Sequence, residues 1–600
     1  MCESKVLGLS LTKLTFLLFV AAIIVYPLIW TGGFAIGAGI NVGAMAVGAL
    51  GFVLLIGYAH QLALGQAGFS LIGGYCSAIL TVRYGWDPFS ALLVALALSM
   101  TAAYFIGLPI LKLRGFILAM ASLAFQLILV YIALEAGAFT GGAEGIPGVP
   151  KFGVFGVTFS TDLAFFYFTW LLVILSIVLG LNIDRSRVGR SLKAIAASET
   201  AAGSVGIDIT IYKVQMFVLS AGLASIAGSL MVHYLRIMTP NIFGFVFALT
   251  LITSVIIGGL ASIWGGMIGA VVVVVLRENL REFEIPLWEV VIMGALTVIV
   301  LILFQRGIAG FIGDLVSRII PPPPNLNDSA TDPIVAEPFY NISSSGGTGA
   351  LLKVDGAQKN FGSLQAVDNV SCEIQPNMIS ALIGPNGAGK TTLFNLITGH
   401  LPLNSGQIIF DGVEIDKMLP HQIASIGVGR TFQNLQLFDN MTVIENVMCG
   451  YHRLAKAGLA TVSLGLPNVV AEERKIRDIA VQHLAFVGLA DATEQSPSAL
   501  PFGHQRLLEI ARALAGEPKI LLMDEPASGL NESETEQLAE LILRIRELGT
   551  TVLLVEHEIR LVMGLAEHII VMNHGSKIAE GPVAEIRADP EVIAAYLGTG

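Results

Sequence analysis

Long apolar runs fill the first 320 residues of the chain, whereas the later residues mix short apolar runs with charged ones. A helix needs about 20 apolar residues to cross a bilayer. Ten runs of this kind are predicted to be spans, with the approximate bounds 14–30, 38–58, 67–84, 88–111, 116–134, 163–181, 211–234, 243–260, 261–277 and 287–305. The pattern therefore predicts an N-terminal all-α polytopic membrane domain over residues 1–320.

The basic residues indicate how these spans are oriented. With the N-terminus inside and ten spans, 11 Lys and Arg residues of the first 320 lie on the cytoplasmic side and 5 on the other. This is the bias that the positive-inside rule describes. The first run could also be a signal peptide, but no clear cleavage site follows it and further runs come directly behind. We expect ten uncleaved spans and a cytoplasmic C-terminal half.

A proline-rich stretch separates two kinds of chain. Pro321–Pro324 ends the last run and a polar stretch follows, so residues 321–350 are predicted to be a linker. Up to residue 320 the chain has 16 basic and 13 acidic residues, and beyond it 18 and 32, so the net charges are +3 and −14. Residues 351–600 are therefore predicted to form a soluble domain. They show no basic patch of the nucleic-acid type, and the four scattered cysteines predict neither a metal site nor a disulfide framework.

A glycine-rich stretch of this second domain fits the phosphate-loop pattern G-x-x-x-x-G-K-[ST]. An apolar run, Ile379–Ile383, predicts a strand before the loop, and residues 393–398 predict a helix after it. In that setting Lys390 would reach the β- and γ-phosphates of a nucleotide, and the Thr391 hydroxyl would bind Mg²⁺. A tight turn without a ligand is the alternative. The predicted ATP-binding residues of the loop are Gly384, Pro385, Asn386, Gly387, Ala388, Gly389, Lys390, Thr391 and Thr392.

Two further apolar runs end in groups that suit phosphate chemistry. Residues 520–523 lead into Asp524 and Glu525, which predicts a buried parallel strand that delivers two carboxylates at a ligand-binding edge. Asp524 would hold Mg²⁺, and Glu525 would polarise the attacking water. A second strand, 551–555, would place His557 near the γ-phosphate, although a lone histidine there is usually structural. The soluble domain is thus predicted to be an α/β P-loop NTPase.

Phe361 lies in a turn ahead of the phosphate loop and could stack on adenine, with a core phenylalanine as the alternative. Residues 184–212 are predicted to form a loop whose centre, residues 188–206, is a short basic, Ala-rich helix. This loop could transmit motion between the domains, or could be a plain cytoplasmic connection. Residues 137–162, rich in Gly and Pro, would lie outside the cell. They could close over a translocation path, meet an external partner, or form a plain exposed loop.

The order and spacing of these groups resemble the ATP-binding cassette (ABC) family over the whole C-terminal half. The resemblance implies that Gln433 is the mobile-loop glutamine that contacts Mg²⁺ and the membrane domain, and that His557 contacts the γ-phosphate. It also implies a signature loop facing a partner's ATP, formed by Leu500, Pro501, Phe502, Gly503 and His504. Pro501 stands where the family usually has a serine, which leaves open whether both shared ATP sites hydrolyse equally.

Closer features are similar to the branched-chain (hydrophobic) amino acid importers. Residues 427–438, 441–447 and 580–598 resemble their ATPase subunits, and residues 107–115 and 140–148 resemble their permeases. The run 199–206 resembles the importer coupling motif E-A-A-x-x-x-G with one residue shifted. The resemblance implies a type II-like importer fold with a coupling helix at about 186–206. Its implied coupling residues are Arg190, Glu199, Ala201, Ala202 and Gly206.

The resemblance implies an ATP hydrolase with ATP and Mg²⁺ as cofactors, fused to a permease and importing branched-chain or other hydrophobic amino acids. It implies three partners: a second permease, a second ATPase and an extracytoplasmic solute-binding protein. The expected location is the inner membrane of a bacterium, with the ATPase in the cytoplasm. An importer of urea or short amides is an alternative. So are a homodimeric exporter, which ten spans and the coupling motif disfavour, and a cassette that gates or regulates without pumping.

Overall fold

The structure is a computed structural model that describes residues 5–6, 9–282, 288–304, 306–319 and 350–597. By the contacts of its backbone the chain divides into two units. The first comprises Met1–Gly189, Thr210–Asp328 and Leu459–Gly465, and the second comprises Arg190–Ile209, Ser329–Gly458 and Leu466–Gly600. The predicted linker, apart from residue 350, lies outside the described residues.

Apolar helices make up most of the first unit. Eight helices among the described residues are long and apolar enough to cross a membrane. The other two predicted spans also coincide with helices: a shorter apolar stretch, Thr15–Ile29, and Gln66–Arg83, whose buried small and polar residues lower its hydropathy. The longer helices are Leu11–Ile29, Gly33–Phe52 continued by a π-helix at Val53–Tyr58, Gln66–Arg83, Pro88–Ile110, Gly115–Glu135, Asp162–Asp184, Ile209–Leu235, Phe245–Gly258, Ile263–Glu282, Glu289–Leu303 and Gly307–Ile319.

Glycine and serine let two of these helices approach closely. A Cβ on Gly228 would lie 2.0 Å from the Ser70 carbonyl oxygen, and one on Gly73 would lie 2.4 Å from the Ser225 carbonyl oxygen. The helices Gln66–Arg83 and Ile209–Leu235 therefore touch backbone to backbone. Small residues serve this purpose in membrane proteins, where packing rather than water exclusion holds helices together.

The Gly- and Pro-rich segment 137–162 packs against the helices. Its Ile146 and Phe152 side chains are 4% and 2% exposed. A short strand, Ile146–Pro147, pairs with Ile237–Met238, and a hairpin joins Gly153–Val154 to Val157–Thr158. His233 hydrogen-bonds to the Pro150 carbonyl oxygen through Nδ1 at 2.9 Å. The segment is therefore more than a plain exposed loop.

A short piece from the second half of the sequence belongs to the first unit. The helix Leu459–Ser463 packs on the helix Asp162–Asp184. Asn182 Nδ2 donates to the Ser463 carbonyl oxygen at 3.0 Å. The periodicity of the sequence gave no sign of this placement.

Two sheets organise the second unit. A four-stranded antiparallel sheet has the order Val413–Glu414, Ser405–Phe410, Leu352–Phe361 and Leu364–Ile374. A six-stranded sheet has the order Val428–Arg430, Ile520–Asp524, Thr551–Val555, Ile379–Ile383, His568–Asn573 and Ser576–Pro582, and only its last pair is antiparallel. The three central strands are buried along their whole length, which is why they are continuous apolar runs in the sequence.

Helices cover the six-stranded sheet, as the predicted α/β fold requires. The sheet thus brings the end of Ile379–Ile383 and the end of Ile520–Asp524 to one edge, with Thr551–Val555 between them. The helices of this unit are Glu199–Ser204, Lys390–Ile397, Pro420–Ser425, Val443–Gly450, Pro467–Phe486, Phe502–Leu514, Glu532–Glu547, Ile559–Leu565, Val583–Ala588 and Pro590–Leu597.

The predicted coupling helix is two helices, Arg187–Ala197 and Glu199–Ser204. Ser198 separates them because its extended backbone starts the second helix, where its Oγ accepts a hydrogen bond from the Ala201 N–H at 3.2 Å. Through its contacts, the part from residue 190 onward groups with the second unit.

A pair of glycine substitutions tests the close helix contact. Gly228→Ala should lower the unfolding temperature of the detergent-solubilised protein, because the new Cβ meets the Ser70 carbonyl and overpacking costs about 1–3 kcal/mol. Gly294→Ala is the matched control, since nothing lies within 4 Å of its Cβ position. Helix propensity alone favours alanine by about 1 kcal/mol. Equal unfolding temperatures for the two variants would contradict the contact.

Candidate nucleotide site

The phosphate loop connects the strand Ile379–Ile383 to the helix Lys390–Ile397. Gly384 and Gly389 have φ values of 151° and 97°, which side chains rarely adopt. A Cβ on Gly389 would also lie 2.3 Å from the Ala366 carbonyl oxygen. The loop can therefore follow this path only with glycine at these positions, and its N–H groups surround the start of the helix.

Lys390 is folded back onto the loop. Its Nζ donates to the carbonyl oxygens of Gly384 at 2.7 Å and Pro385 at 3.1 Å, and the residue is 7% exposed. Burial lowers the pKa of Lys390, while the carboxylates of Glu525 and Asp524 act in the opposite direction. The ammonium is thus held beside the loop by two neutral acceptors, which a phosphate can replace.

The two predicted acids lie where the strand Ile520–Asp524 ends. Asp524 is 1% exposed, and burial raises its pKa, although the nearby Arg430 counteracts this. Its Oδ2 lies 3.7 Å from Arg430 Nη2, whereas its Oδ1 has no hydrogen-bond partner among the described residues. Glu525 has a φ of 48°, an unfavourable value for this residue type. Backbone strain of this kind concentrates at functional sites.

Two predicted catalytic side chains, Gln433 and His557, approach one carboxylate oxygen of the third, Glu525. Gln433 Nε2 donates to Glu525 Oε2 at 2.9 Å, and His557 Nδ1 lies 3.8 Å from the same oxygen. The side chain of His557 is 58% exposed, so it is free to meet a ligand in solvent. The fold therefore gathers residues that are more than 90 positions apart in sequence.

Two neighbouring clefts adjoin this cluster. One has a volume of about 620 Å³ and the other about 510 Å³, and they share Asn386, Gln433 and Glu525. Phe361 ends the strand Leu352–Phe361, is 46% exposed and lines the larger cleft, as a base-stacking residue would. His574, which sequence reasoning did not identify, lines the larger cleft as well. The remaining lining residues are Leu364, Gln365, Ala366, Gly387, Ala388, Gly389, Lys390, Thr391 and Thr392 in the larger cleft, and Gly384, Pro385 and His557 in the smaller one.

The predicted magnesium ligands suit a cation that keeps ligands from outside the protein. Thr391 and Gln433 line the larger cleft, and the unpartnered Oδ1 of Asp524 supplies a buried oxygen. No group of three or more His, Cys, Asp or Glu that could hold a metal occurs among the described residues. Mg²⁺ is usually bound by one or two protein oxygens together with phosphates and water, so these residues fit it.

The signature residues lie apart from both clefts. The helix Phe502–Leu514 starts directly after Pro501, which makes no side-chain capping hydrogen bond. Phe502 is 46% exposed, and His504 is exposed as well. Among the described residues that line the two clefts, none comes from positions 500–504. Leu500 and Gly503, in contrast, are buried.

The coupling residues contact the nucleotide-binding part of the second unit. Arg190 Nη1 lies 2.6 Å from Glu473 Oε2, and both side chains are largely buried. Glu199 lies in the first turn of Glu199–Ser204, and Ala201 and Ala202 are fully buried in the same helix. Gly206 has a φ of 88°, and a Cβ there would lie 3.3 Å from Arg453 Cβ.

A buried ionic group, which the sequence analysis did not predict, holds the Gln433 loop. Arg506 donates to the carbonyl oxygens of Phe432 at 2.7 Å and Gln433 at 2.6 Å. Glu509 lies 3.7 Å from Arg506 and 3.4 Å from Arg512, and it accepts from the Gln436 N–H at 3.3 Å. Three charged residues spaced three apart among apolar residues, at 506, 509 and 512, are a signal that could have revealed this group.

Family models match both halves of the sequence. A family model described as "Branched-chain amino acid transport system / permease component" matches residues 39–301. Another, described as "ABC transporter", matches residues 367–528. A third, described as "Branched-chain amino acid ATP-binding cassette transporter", matches residues 576–600. The fold and these matches define a membrane-embedded transporter with a permease part and a nucleotide-binding part.

The second half of the chain is similar to named proteins and to solved structures. The high-affinity branched-chain amino acid transport ATP-binding protein LivG of Escherichia coli (strain K12) is 45% identical over 249 residues, which are 41% of this chain and 98% of LivG. BraF of Pseudomonas aeruginosa is 43% identical over the same shares. A solved nucleotide-free ATP-binding cassette from an ABC transporter is 31% identical, with a TM-score of 0.37, over 42% of this chain and 100% of that chain.

This chain belongs to the branched-chain amino acid ABC transporter family and carries permease and ATP-binding components in one polypeptide. Its second half is a nucleotide-binding ATPase whose hydrolysis is coupled to transport. The predicted fold class is confirmed for both halves, and so is the predicted family.

The buried ionic group makes a stability prediction. Glu509→Gln removes the buried carboxylate that pairs with both Arg506 and Arg512, and breaking a buried ion pair costs about 3–5 kcal/mol. The expected result is a lower midpoint in denaturant unfolding of the second unit, followed in the full chain. Glu494→Gln is the control because its ion pair with Arg477 is partly exposed and such pairs contribute about 1 kcal/mol or less. Similar midpoints for the two variants would contradict the stabilising role of the buried ionic group.

Proposed function

We propose that this chain drives the ATP-dependent uptake of branched-chain or other hydrophobic amino acids across the cytoplasmic membrane of a bacterium. One observation supports the ATP-driven part: Lys390, Gln433, Glu525 and His557 converge on clefts in the unit that also contains residues 190–209. The choice of solute rests on the relatives, because the names of LivG and BraF both state branched-chain amino acid transport.

ATP binding uses the loop and the larger cleft. The N–H groups of residues 386–389 and the start of the helix Lys390–Ile397 attract the phosphates, and Lys390 exchanges its two carbonyl acceptors for phosphate oxygens. Phe361 offers its exposed face to the adenine. The cleft volume of about 620 Å³ suits a nucleotide-sized ligand.

Hydrolysis needs a base beside the γ-phosphate. Glu525 accepts a proton from the water that attacks phosphorus, while the bond between phosphorus and the bridging oxygen of ADP breaks. Gln433 and His557 already lie within 4 Å of Glu525 Oε2, so they hold the base and meet the γ-phosphate. Thr391, Gln433 and Asp524 would hold Mg²⁺, which neutralises charge on the β- and γ-phosphates.

Full activity requires partners. The signature residues 500–504 lie away from the chain's own clefts, so they serve the ATP of a second ATPase. A second permease completes the membrane path, and an extracytoplasmic solute-binding protein delivers the solute. The serine hydroxyl usual at Pro501 is missing, and therefore the backbone N–H groups at the start of Phe502–Leu514 face the partner's phosphate.

Nucleotide closure reaches the membrane through residues 186–206. Arg190 holds the segment to Glu473 on the helix Pro467–Phe486, and Ser198 Oγ donates to Gln436 Oε1 at 2.8 Å. Gln436 lies three residues after Gln433, on the loop that contacts the catalytic carboxylate. A change at the nucleotide is thereby converted into movement of this segment.

Glu525→Gln tests the catalytic assignment. Removing the base should lower the hydrolysis rate of the assembled transporter by about 10²- to 10⁴-fold while ATP binding persists. Lys390→Ala is the complementary variant and should lose ATP binding itself, as measured with a fluorescent ATP analogue. Hydrolysis at the parent rate in Glu525→Gln would remove Glu525 as the base.

Uptake of radiolabelled leucine by vesicles containing the chain and its partners tests the solute. The expected result is ATP-dependent accumulation that isoleucine and valine reduce by competition and urea does not. Vesicles carrying Lys390→Ala serve as the control. Uptake of urea rather than leucine, or outward movement without a binding protein, would contradict the proposal.

A further inference from the structure

Arg430 is a buried cation that contacts two parts of the nucleotide site. It ends the strand Val428–Arg430, and its side chain is 5% exposed. Nη1 donates to Asn395 Oδ1 at 2.8 Å and to Thr398 Oγ1 at 2.7 Å, at the end of the helix that follows the phosphate loop. Nη2 lies 3.7 Å from Asp524 Oδ2. The guanidinium of Arg430 therefore connects this helix to the strand Ile520–Asp524.

Arg430 approaches one of the two carboxylate oxygens of Asp524. Oδ2 faces the guanidinium, whereas Oδ1 is buried without a hydrogen-bond partner among the described residues. A planar guanidinium that neutral acceptors hold in place fixes the direction of a carboxylate as well as balancing its charge. Oδ1 is thereby the oxygen without a protein partner among the described residues, as a cation-binding oxygen would be.

His400 joins Arg430 to the coupling segment. Its Nδ1 lies 3.0 Å from Thr398 Oγ1 and 3.5 Å from Arg430 Nη1. Its Nε2 lies 3.5 Å from Ser204 Oγ, and the ring also hydrogen-bonds to the Thr200 backbone. Burial, with Arg430 nearby, lowers the pKa of His400 to about 4. The ring is therefore neutral at physiological pH, and one nitrogen accepts while the other donates.

The contacts form a continuous path inside the second unit. It runs from the helix Glu199–Ser204 through His400 to Thr398 and Arg430, and ends at Asp524 Oδ2. A second path runs through Gln436 and Gln433 and ends at Glu525. The two paths meet at Phe432, because Arg430 lies 4.9 Å from the centroid of its ring and His400 contacts the ring edge-on. The two paths reach different carboxylates, one assigned to the cation and one to the attacking water.

We propose that Arg430 is a positioning residue that sets the cation-binding orientation of Asp524, and that His400 makes this orientation sensitive to the coupling segment. This inference rests on the proposed role of Asp524 as a magnesium ligand. The coupling segment, residues 186–206, thus acts on cation binding at Asp524 as well as on the base, Glu525. Adjacent polar contacts alone do not establish such coupling, which requires a measured change at the far end of the path.

Cation binding without turnover tests the first part. Full-length protein in lipid nanodiscs, loaded with a non-hydrolysable ATP analogue, is titrated with Mn²⁺ and followed by electron paramagnetic resonance. Arg430→Lys keeps the charge, but its single nitrogen cannot serve Asn395, Thr398 and Asp524 together. We expect the half-saturating Mn²⁺ concentration to rise about tenfold, the effect of losing one charge-assisted hydrogen bond. Affinity for the analogue in EDTA should stay unchanged.

Two further variants keep this test decisive. Asn395→Ala removes an acceptor of Arg430 without touching any charge, and it should shift Mn²⁺ binding in the same direction even where Arg430→Lys fails to fold. Half-saturation at the parent concentration in both folded variants would overturn the positioning role. Asp524→Asn distinguishes the positioning role of Arg430 from the metal-binding role of Asp524. Unchanged Mn²⁺ affinity in that variant would overturn the metal-binding role itself.

The second part is tested by the solute taken up per ATP hydrolysed. His400→Leu should lower this ratio by about fivefold or more, the usual range of coupling between sites, while basal hydrolysis persists. His483→Leu is the matched control because His483 is also buried, at 1% exposed, on the helix Pro467–Phe486 outside the path. Equal ratios in the two variants would overturn the role of His400.

Discussion

The charge of Asp524 must be balanced inside the protein, because its carboxylate is 1% exposed at the end of a strand that is buried along its length. Arg430 supplies that balance, and Asn395 and Thr398 hold Arg430 in turn. Both acceptors lie at the end of the helix that begins with Lys390. The orientation of the acid is therefore fixed by contacts with the far end of the helix that follows the phosphate loop.

The need to balance buried charge also applies to the residues beside the nucleotide site. Glu509 is buried between Arg506 and Arg512, and Arg506 also donates from Nη1 and Nη2 to the carbonyl oxygens of Phe432 and Gln433. The helix after the signature loop and the loop that contacts the catalytic base are thus parts of one rigid group. Burial raises the pKa of Glu509, an effect that the two guanidinium groups oppose. Such a group transmits a displacement because it cannot loosen at one contact without leaving a buried charge unpaired.

The first unit is held together by different means. Its helices are apolar, so the close approach of their backbones takes the place of charge pairing. Gly228 against Ser70 and Gly73 against Ser225 are the clearest instances. This contrast explains why long apolar runs predicted the membrane domain, whereas spaced polar motifs predicted the nucleotide-binding domain.

Local order was determined by the sequence. The strand Ile379–Ile383 and the phosphate loop follow from neighbouring residues, and so do the apolar helices, because periodicity and turn chemistry act over a few positions. Hydropathy alone does not mark every predicted span. Gln66–Arg83 is a helix, but its buried small and polar residues lower its hydropathy. Tertiary structure alone decided which distant groups meet. The placement of Leu459–Gly465 and the contact of Arg430 with Asp524 depend on chain segments far apart in sequence, whose approach no local pattern encodes.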